Sequence, residues 1–305
     1  MAISLALALA SAPPAHAAKA DDGHRFGIIG HSFNRGGEKQ LRQALADSAE
    51  KSLAFVVVTG IKGEKEGCSD RLYEERRDLI DEAKRPMIVA PAGSDWTECK
   101  NSAGKRNPIE RLNRMRELFF GEPRSLGQNT LPVTRLSTSP RFRSYAENGH
   151  WEIGKVLYAT INLPANNNHF LPEAGRNNEF EDRLVANRFW LNRLFSLART
   201  DKVEAIVLFS EGDAKVTLEP TGLRALLRRD PQGRDGFAET RKQLVTLAQK
   251  FKGKVLLVDS AAHPKATPVI EWHGNLGHVS IDGVSVEVAV HPGAKQLFTL
   301  HDPAK

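Results

Sequence analysis

Residues Pro86 to Cys99 read Pro-Met-Ile-Val-Ala-Pro-Ala-Gly-Ser-Asp-Trp-Thr-Glu-Cys. An apolar run, Met87 to Ala90, ends in a Pro-Ala-Gly turn, and Ser94, Asp95 and Thr97 follow at once. A short apolar run bounded by turn residues predicts a buried strand that delivers a polar loop at its carboxyl end. In open α/β sheets, ligands and catalytic groups gather at that end. Trp96 gives the loop an apolar anchor, and Cys99 offers it a covalent tether.

The same grammar repeats on both sides of this stretch. Arg25 to Gly30 predicts a strand, followed by His31 and then by Gly36-Gly37, which open a polar helix through Glu50. A strand, a glycine turn and a helix begin an α/β unit, and the helix amino terminus there is a natural anion site. Leu53 to Val58 (LAFVVV) is a continuous β-branched run, as expected for a strand covered on both faces, and it leads into Thr59-Gly60-Ile61-Lys62-Gly63. Ser69 or Asp70 is placed to cap a helix over Arg71–Lys84, and Asn107-Pro108 to start one through Phe120, with Ile109, Leu112, Met115, Leu118 and Phe119 on one face. Arg111, Arg114 and Arg116 on that helix are of a type that holds phosphate, but pairing with nearby Glu is the commoner arrangement.

Further along, Glu147-Asn148-Gly149 has the chemistry of a turn between strands. Val156 to Leu163 predicts a strand ending in an Asn-rich loop that closes on His169. Glu179 to Arg199 is a long helical pattern with Phe180, Leu184, Leu191, Leu194 and Ala198 as its stripe, on which Asn187 reads as a locally bonded core residue. Strands are expected over Ala205–Phe209, leading to Ser210-Glu211-Gly212-Asp213, and over Lys254–Val258, leading to Asp259 and His263, with a helix over Arg241–Lys252 between them. Gly277-His278 is read as part of a terminal hairpin, and Val284 to Val290 alternates like an edge strand.

The chain has 305 residues, 40% hydrophobic and 26% charged, which suits a globular protein with a sizeable core. Its net charge of +6 favours anionic surroundings, and an anionic or phosphate-containing ligand is the partner class left open. No nucleic-acid-binding motif is present. Ile3 to Ala10 (ISLALALA) followed by Ala15-His16-Ala17 has the pattern of a signal peptide over residues 1–17, too short to span a bilayer, although no Lys or Arg precedes it. A periplasmic or secreted location is therefore expected, with residues 18–305 as a single domain and no transmembrane anchor after cleavage. Cys68 and Cys99 are the two cysteines; an even count in an exported chain predicts one disulfide, the alternative being two reduced buried thiols.

Several of these stretches resemble secreted calcineurin-like metallophosphoesterases. That family writes Pro-Gly-Asp-Asn-Glu-Trp-Thr-Asp-Cys where this chain has Pro91 to Cys99, and Gly-Asp-Ile-Lys-Gly where it has Thr59 to Gly63. Arg183-x-x-Ala186-Asn187-x-x-Trp190-Leu191 also matches. The resemblance covers about Phe26 to Phe298 and implies the calcineurin-like fold: two packed mixed β-sheets flanked by helices, a four-layer αββα sandwich. It also implies a two-metal site, and there the chain departs. His31 replaces a metal-binding Asp, Gly60 the bridging Asp, Ser94 an Asn ligand and Asp259 a His, while His263 stands as the family writes it.

The resemblance thus implies an exported binding or structural protein on a degenerate phosphoesterase scaffold, with no cofactor. The alternative is a metal-dependent phosphoesterase with a remodelled, single-metal site holding Mn, Fe or Zn. Its ligands would be His31, Asp259 and His263, within a candidate residual site that adds Ser94, Asp95 and Asp213. A third reading is a metal-free binder of small anions at helix amino termini.

Overall fold

Val57 faces one layer of the molecule while Val56 and Val58 face another, and all three are buried. That is why the run carries no polar alternation: the sheet it belongs to is covered on both sides. The computed structural model describes residues 23–31, 37–49, 51–173, 175, 177–216, 235–261, 268–281 and 285–301. The signal-peptide reading of residues 1–17 and the metal-ligand reading of His263 lie outside the described residues.

The first sheet has the order β12-β11-β1-β2-β3. β1 (His24–Ile29), β2 (Val56–Thr59) and β3 (Met87–Ala90) run parallel to one another, while β11 (Ser285–Val290) and β12 (Phe298–His301) add antiparallel pairs. α1 (Gly37–Ala49), α2 (Asp70–Asp81) and α3 (Pro108–Phe120) cover its outer face through Leu41, Tyr73, Ile80, Leu112, Met115 and Phe119. Ser69 caps α2 as expected, accepting from the Leu72 N–H at 3.2 Å. Asn107 precedes α3, but its side chain makes no cap and donates instead to Glu110 at 2.9 Å.

The second sheet has the order β4-β5-β6-β7-β8-β10-β9. Its parallel centre is β6 (Val156–Thr160), β7 (Ala205–Phe209), β8 (Lys254–Asp259) and β10 (Leu276–Ser280); β4 (Thr134–Arg135), β5 (Gly149–Ile153) and β9 (Glu271–His273) pair antiparallel at its flanks. α4 (Asn178–Thr200) and α5 (Ala238–Gln249) lie on its outer face. The inner faces of the two sheets share one core that includes Phe26, Phe55, Trp151, Tyr158 and Phe209. The molecule is therefore an α/β sandwich of two mixed sheets flanked by helices.

Two further expectations need correction, and a third needs refining. β11 is not an edge strand, because it lies between β1 and β12; β12 is the edge. Its alternation reflects partial cover at Ser285 and Glu287, not an open flank. Glu147 lies in a turn ahead of β5, yet it and Asn148 are both fully buried. Glu147 accepts from Arg116 of α3 at 2.6 and 2.8 Å, and Asn148 donates to Asn187 at 2.8 Å and accepts from the Asn162 N–H at 2.9 Å. The reversal joining β5 to β6 comes at Gly154.

The stripe of α4 is also rotated from its expected position. Arg183, Ala186, Asn187, Trp190, Leu191, Leu194, Phe195 and Ala198 are buried, while Phe180 and Leu184 are only half-buried. Arg183 can sit inside because Glu179 and the Asn162 and Asn168 carbonyls take up its guanidinium, and Trp190 because its N–H donates to the Thr160 carbonyl at 3.0 Å. Asn187 is indeed a bonded core residue, donating to the Asn162 carbonyl at 3.0 Å. Arg111, Arg114 and Arg116 are paired as expected, with Asp70, Glu110, Glu74, Glu117 and Glu147, so they are not arrayed for a phosphate.

Candidate functional site

Four strands deliver polar groups to the carboxyl ends of the two sheets. β1 leads to His31, β2 turns through Gly60 at φ +75°, and β3 is followed by a single 3-10 turn, Gly93–Asp95. From the other sheet, β7 is followed by Glu211 and Asp213.

Asp95 is wholly buried and fully engaged. One carboxylate oxygen accepts from the Ile61 N–H at 3.0 Å and the other from the Ala92 N–H at 2.8 Å. It thereby pins the loop after β2 to the loop after β3, and Tyr73 donates to its backbone carbonyl. Burial pushes its pKa up; the nearby His31 charge and the two N–H donors only partly oppose this.

His31 presents both ring nitrogens to acceptors. Its Nδ1 lies 3.3 Å from Glu211 Oε1, and its Nε2 lies 3.2 Å from both the Lys62 carbonyl and Ser94 Oγ. The Glu211 carboxylate and the Lys62 carbonyl are acceptors, so the doubly protonated ring suits the site. Burial opposes that charge, but the Glu211 carboxylate and the Asp95 charge outweigh it, and the His31 pKa is raised. Glu211 uses its second oxygen to accept from the Gly93 N–H at 2.6 Å and the Ala165 N–H at 2.8 Å. One carboxylate therefore joins the end of the second sheet to two loops of the first.

The space between these groups is filled. A Cβ on Gly60 would fall 2.7 Å from His31 Cδ2 and 2.9 Å from its Nε2. Lys62 is also buried, and its ammonium is spent on the Gly63 and Glu66 carbonyls at 3.0 Å each. On the far wall, Asn166 donates to Thr97 at 3.1 Å, and Asn167, Asn168 and His169 all hold positive φ. His169 meets Trp96 edge to face at 4.9 Å.

The five described candidate residues do not form one centre. His31, Ser94 and Asp95 belong to the group just described, with Glu211 as an added member. Asp213 and Asp259 come together elsewhere, around His278. The His278 Nε2 lies 2.5 Å from Asp259 Oδ2 and 3.4 Å from Asp213 Oδ1. One ligand-type atom from each of these three residues lies within 4.8 Å of the others. Burial works against a charged His278, yet Asp259, Asp213 and Glu271 raise its pKa.

The sequence alone does not mark Glu211 as a site residue, and it assigns Gly277-His278, a pair resembling a two-residue phosphatase motif, to a terminal hairpin. Glu211 lies in the same strand-end tetrapeptide as Asp213, which was the visible signal. His278 does lie in a hairpin, with β9, but β10 also pairs parallel with β8 and so carries His278 to Asp259. Cys68 and Cys99 form the expected disulfide, with Cα atoms 5.8 Å apart, beside the Asp95 loop.

No protein-family model matches the chain, and no curated protein matches it. Among solved structures, GAP50, the anchor in the inner membrane complex of Plasmodium, is similar at 11% identity over 92% of this chain and 88% of that chain, with a TM-score of 0.48.

Proposed function

We propose that this chain is an exported binding or structural protein on a calcineurin-like phosphoesterase scaffold whose two-metal site has given way to an internal ion-pair network. The observation that carries this reading is the fit of Gly60 against His31. The resemblance implies a bridging carboxylate at residue 60, between two ions about 3.5–4 Å apart. A side chain at that position meets the His31 ring at 2.7 Å. The donors nearby are committed: both Asp95 oxygens accept backbone N–H groups, and Glu211 accepts two more besides facing His31. Charge is balanced within the protein, with an imidazolium against carboxylates, and these residues do not fit a pair of dications.

Export is supported by the sequence pattern of residues 1–17 and by the Cys68–Cys99 disulfide. No helix among the described residues is long and apolar enough to cross a membrane.

The test is turnover. Residues 18–305, purified and supplied with manganese, zinc or iron, are assayed against aryl phosphate mono- and diesters. Rates no higher than those of buffer with metal are expected. Metal-dependent turnover that is abolished by His31→Ala would overturn the reading and favour the remodelled single-metal enzyme.

A further inference from the structure

We infer that Asp213, Asp259 and His278 form a binding site for one divalent transition cation of the zinc type, separate from the group around His31. This inference stands whether or not the catalytic reading above holds, because it depends on neither Gly60 nor the family resemblance.

The three residues gather at the carboxyl end of the second sheet, where β7, β8 and β10 are successive neighbours. Leu257 belongs to the core under α4 and α5, while Leu256 and Val258 belong to the core between the sheets. Side chains alternate along a strand, so Asp259 shares the Leu257 face, the helix-covered side. His278 is the register partner of Leu257, and Ser280 that of Asp259, which puts all of them on that side. Glu211 instead reaches towards His31 of the other sheet. The two polar groups therefore occupy different faces at the end of the same sheet.

The donor set is mixed: one imidazole nitrogen and two carboxylate oxygens. That combination suits Zn²⁺, Mn²⁺ or Co²⁺, whereas Mg²⁺ and Ca²⁺ favour all-oxygen sites. Ligands held about 2.0–2.1 Å from a tetrahedral zinc lie about 3.3 Å from one another. The present separations of 2.5 and 3.4 Å bracket that spacing, so small side-chain shifts admit the ion.

Asp259 is already oriented for the role. Its Oδ1 accepts from the Ala261 N–H at 3.0 Å and from the Ser280 hydroxyl, while its Oδ2 is directed at His278. Carboxylates that ligate metals are held from behind in this way. Asp213 Oδ1 accepts from the Lys215 N–H at 2.6 Å, which fixes the third ligand's loop. Two aspartates and a neutral histidine also cancel the charge of a dication, and the ion replaces the direct contact between His278 and Asp259. Three protein ligands leave a fourth position for water or for an anionic group.

The experiment uses untagged residues 18–305, stripped with chelator and titrated with ZnCl₂ by calorimetry, and with CoCl₂ followed by visible absorption. One ion per chain is expected, with a cobalt spectrum that reports a nitrogen ligand. His278→Ala and Asp259→Asn should weaken zinc binding at least about 100-fold, and Ser280→Ala about 10-fold. His31→Gln should bind as the unchanged protein does. If His278→Ala fails to fold by circular dichroism, Asp213→Asn, at the more exposed ligand, serves in its place. Absence of binding tighter than about 100 μM would overturn the inference, as would binding unchanged in the ligand variants. Loss of binding in a folded His31→Gln protein would place the ion between the sheets and overturn it too. Zinc bound here without phosphoesterase turnover upholds both conclusions; zinc bound here with turnover refutes only the one before.

Discussion

Gly60→Ala adds a single methyl group, and its effect can be worked out from the contacts around it. The residue holds φ +75°, where an L side chain costs about 1–2 kcal/mol. The new Cβ lies 2.7 Å from His31 Cδ2 and 3.0 Å from the Ala92 Cβ, so something must move. The His31 ring is not a loose end, because Glu211, the Lys62 carbonyl and Ser94 hold it. Displacing it weakens a charge-assisted contact worth about 1.5–3 kcal/mol. The expected total is a loss of about 2.5–5 kcal/mol, read as a lower urea midpoint with an unchanged slope. The same substitution made in His31→Ala should cost only the backbone part, leaving a coupling of about 2 kcal/mol between the two positions. Additivity within about 0.5 kcal/mol would refute the idea that His31 fills the space at residue 60. So would a Gly60→Ala protein as stable as the parent.

Three other outcomes are expected. Opening the Cys68–Cys99 bridge, by Cys68→Ser with Cys99→Ser, should cost about 3–4 kcal/mol in urea denaturation, from the chain entropy of a 31-residue separation. Arg116→Met should lose about 3–5 kcal/mol by leaving the wholly buried Glu147 without its cation, and Arg116→Met with Glu147→Met should regain most of it. His150 has its pKa pushed down to about 4 by burial and then by the Arg193 charge, against a weaker pull from Asp201. Its folded state therefore binds fewer protons than the unfolded chain, so its contribution is complete above the ordinary value of 6.5 and is lost as pH falls towards 4. With a discount for partial exposure this amounts to about 1–2 kcal/mol, and His150→Gln should flatten the acid limb of a stability–pH curve by that amount.

Strands with both faces covered were legible, because burial leaves a run such as Val56-Val57-Val58 or Ala205–Phe209 with no polar member. Helix α2 was legible from its Ser69 cap, and α3 from Pro108 at its start and from Leu112, Met115 and Phe119, although Ile109 of the expected face is exposed. What escaped depended on partners distant in sequence. Glu147-Asn148-Gly149 has turn chemistry in isolation, and only Arg116 on another element makes Glu147 a core residue. Arg183 broke the expected stripe of α4 because an arginine is assigned to solvent unless its acceptors are known. At the site, single residues were nameable but their grouping was not. Strand-end positions mark His31, Asp95, Asp213 and Asp259 as candidates, yet which of them meet depends on strand pairing across both sheets.

The polar contacts between the two sheets have a bearing on how the layers keep their alignment. The aromatic and aliphatic core between the sheets is non-directional, and such a core tolerates sliding of one sheet over the other. Directed bonds ring that core: Arg116 to Glu147 at one side, His31 and Gly93 to Glu211 at the carboxyl ends, and His24 to Tyr158 at 2.6 Å within it. Glu147 continues through Asn162 to Asn187 on α4, so a polar line runs from one outer helical layer to the other. These bonds act as locating pins. A sheet displaced by one residue would strand the buried Glu147 and Glu211 carboxylates and break the His24–Tyr158 bond at once, and that penalty selects a single alignment from the many that greasy surfaces alone would accept.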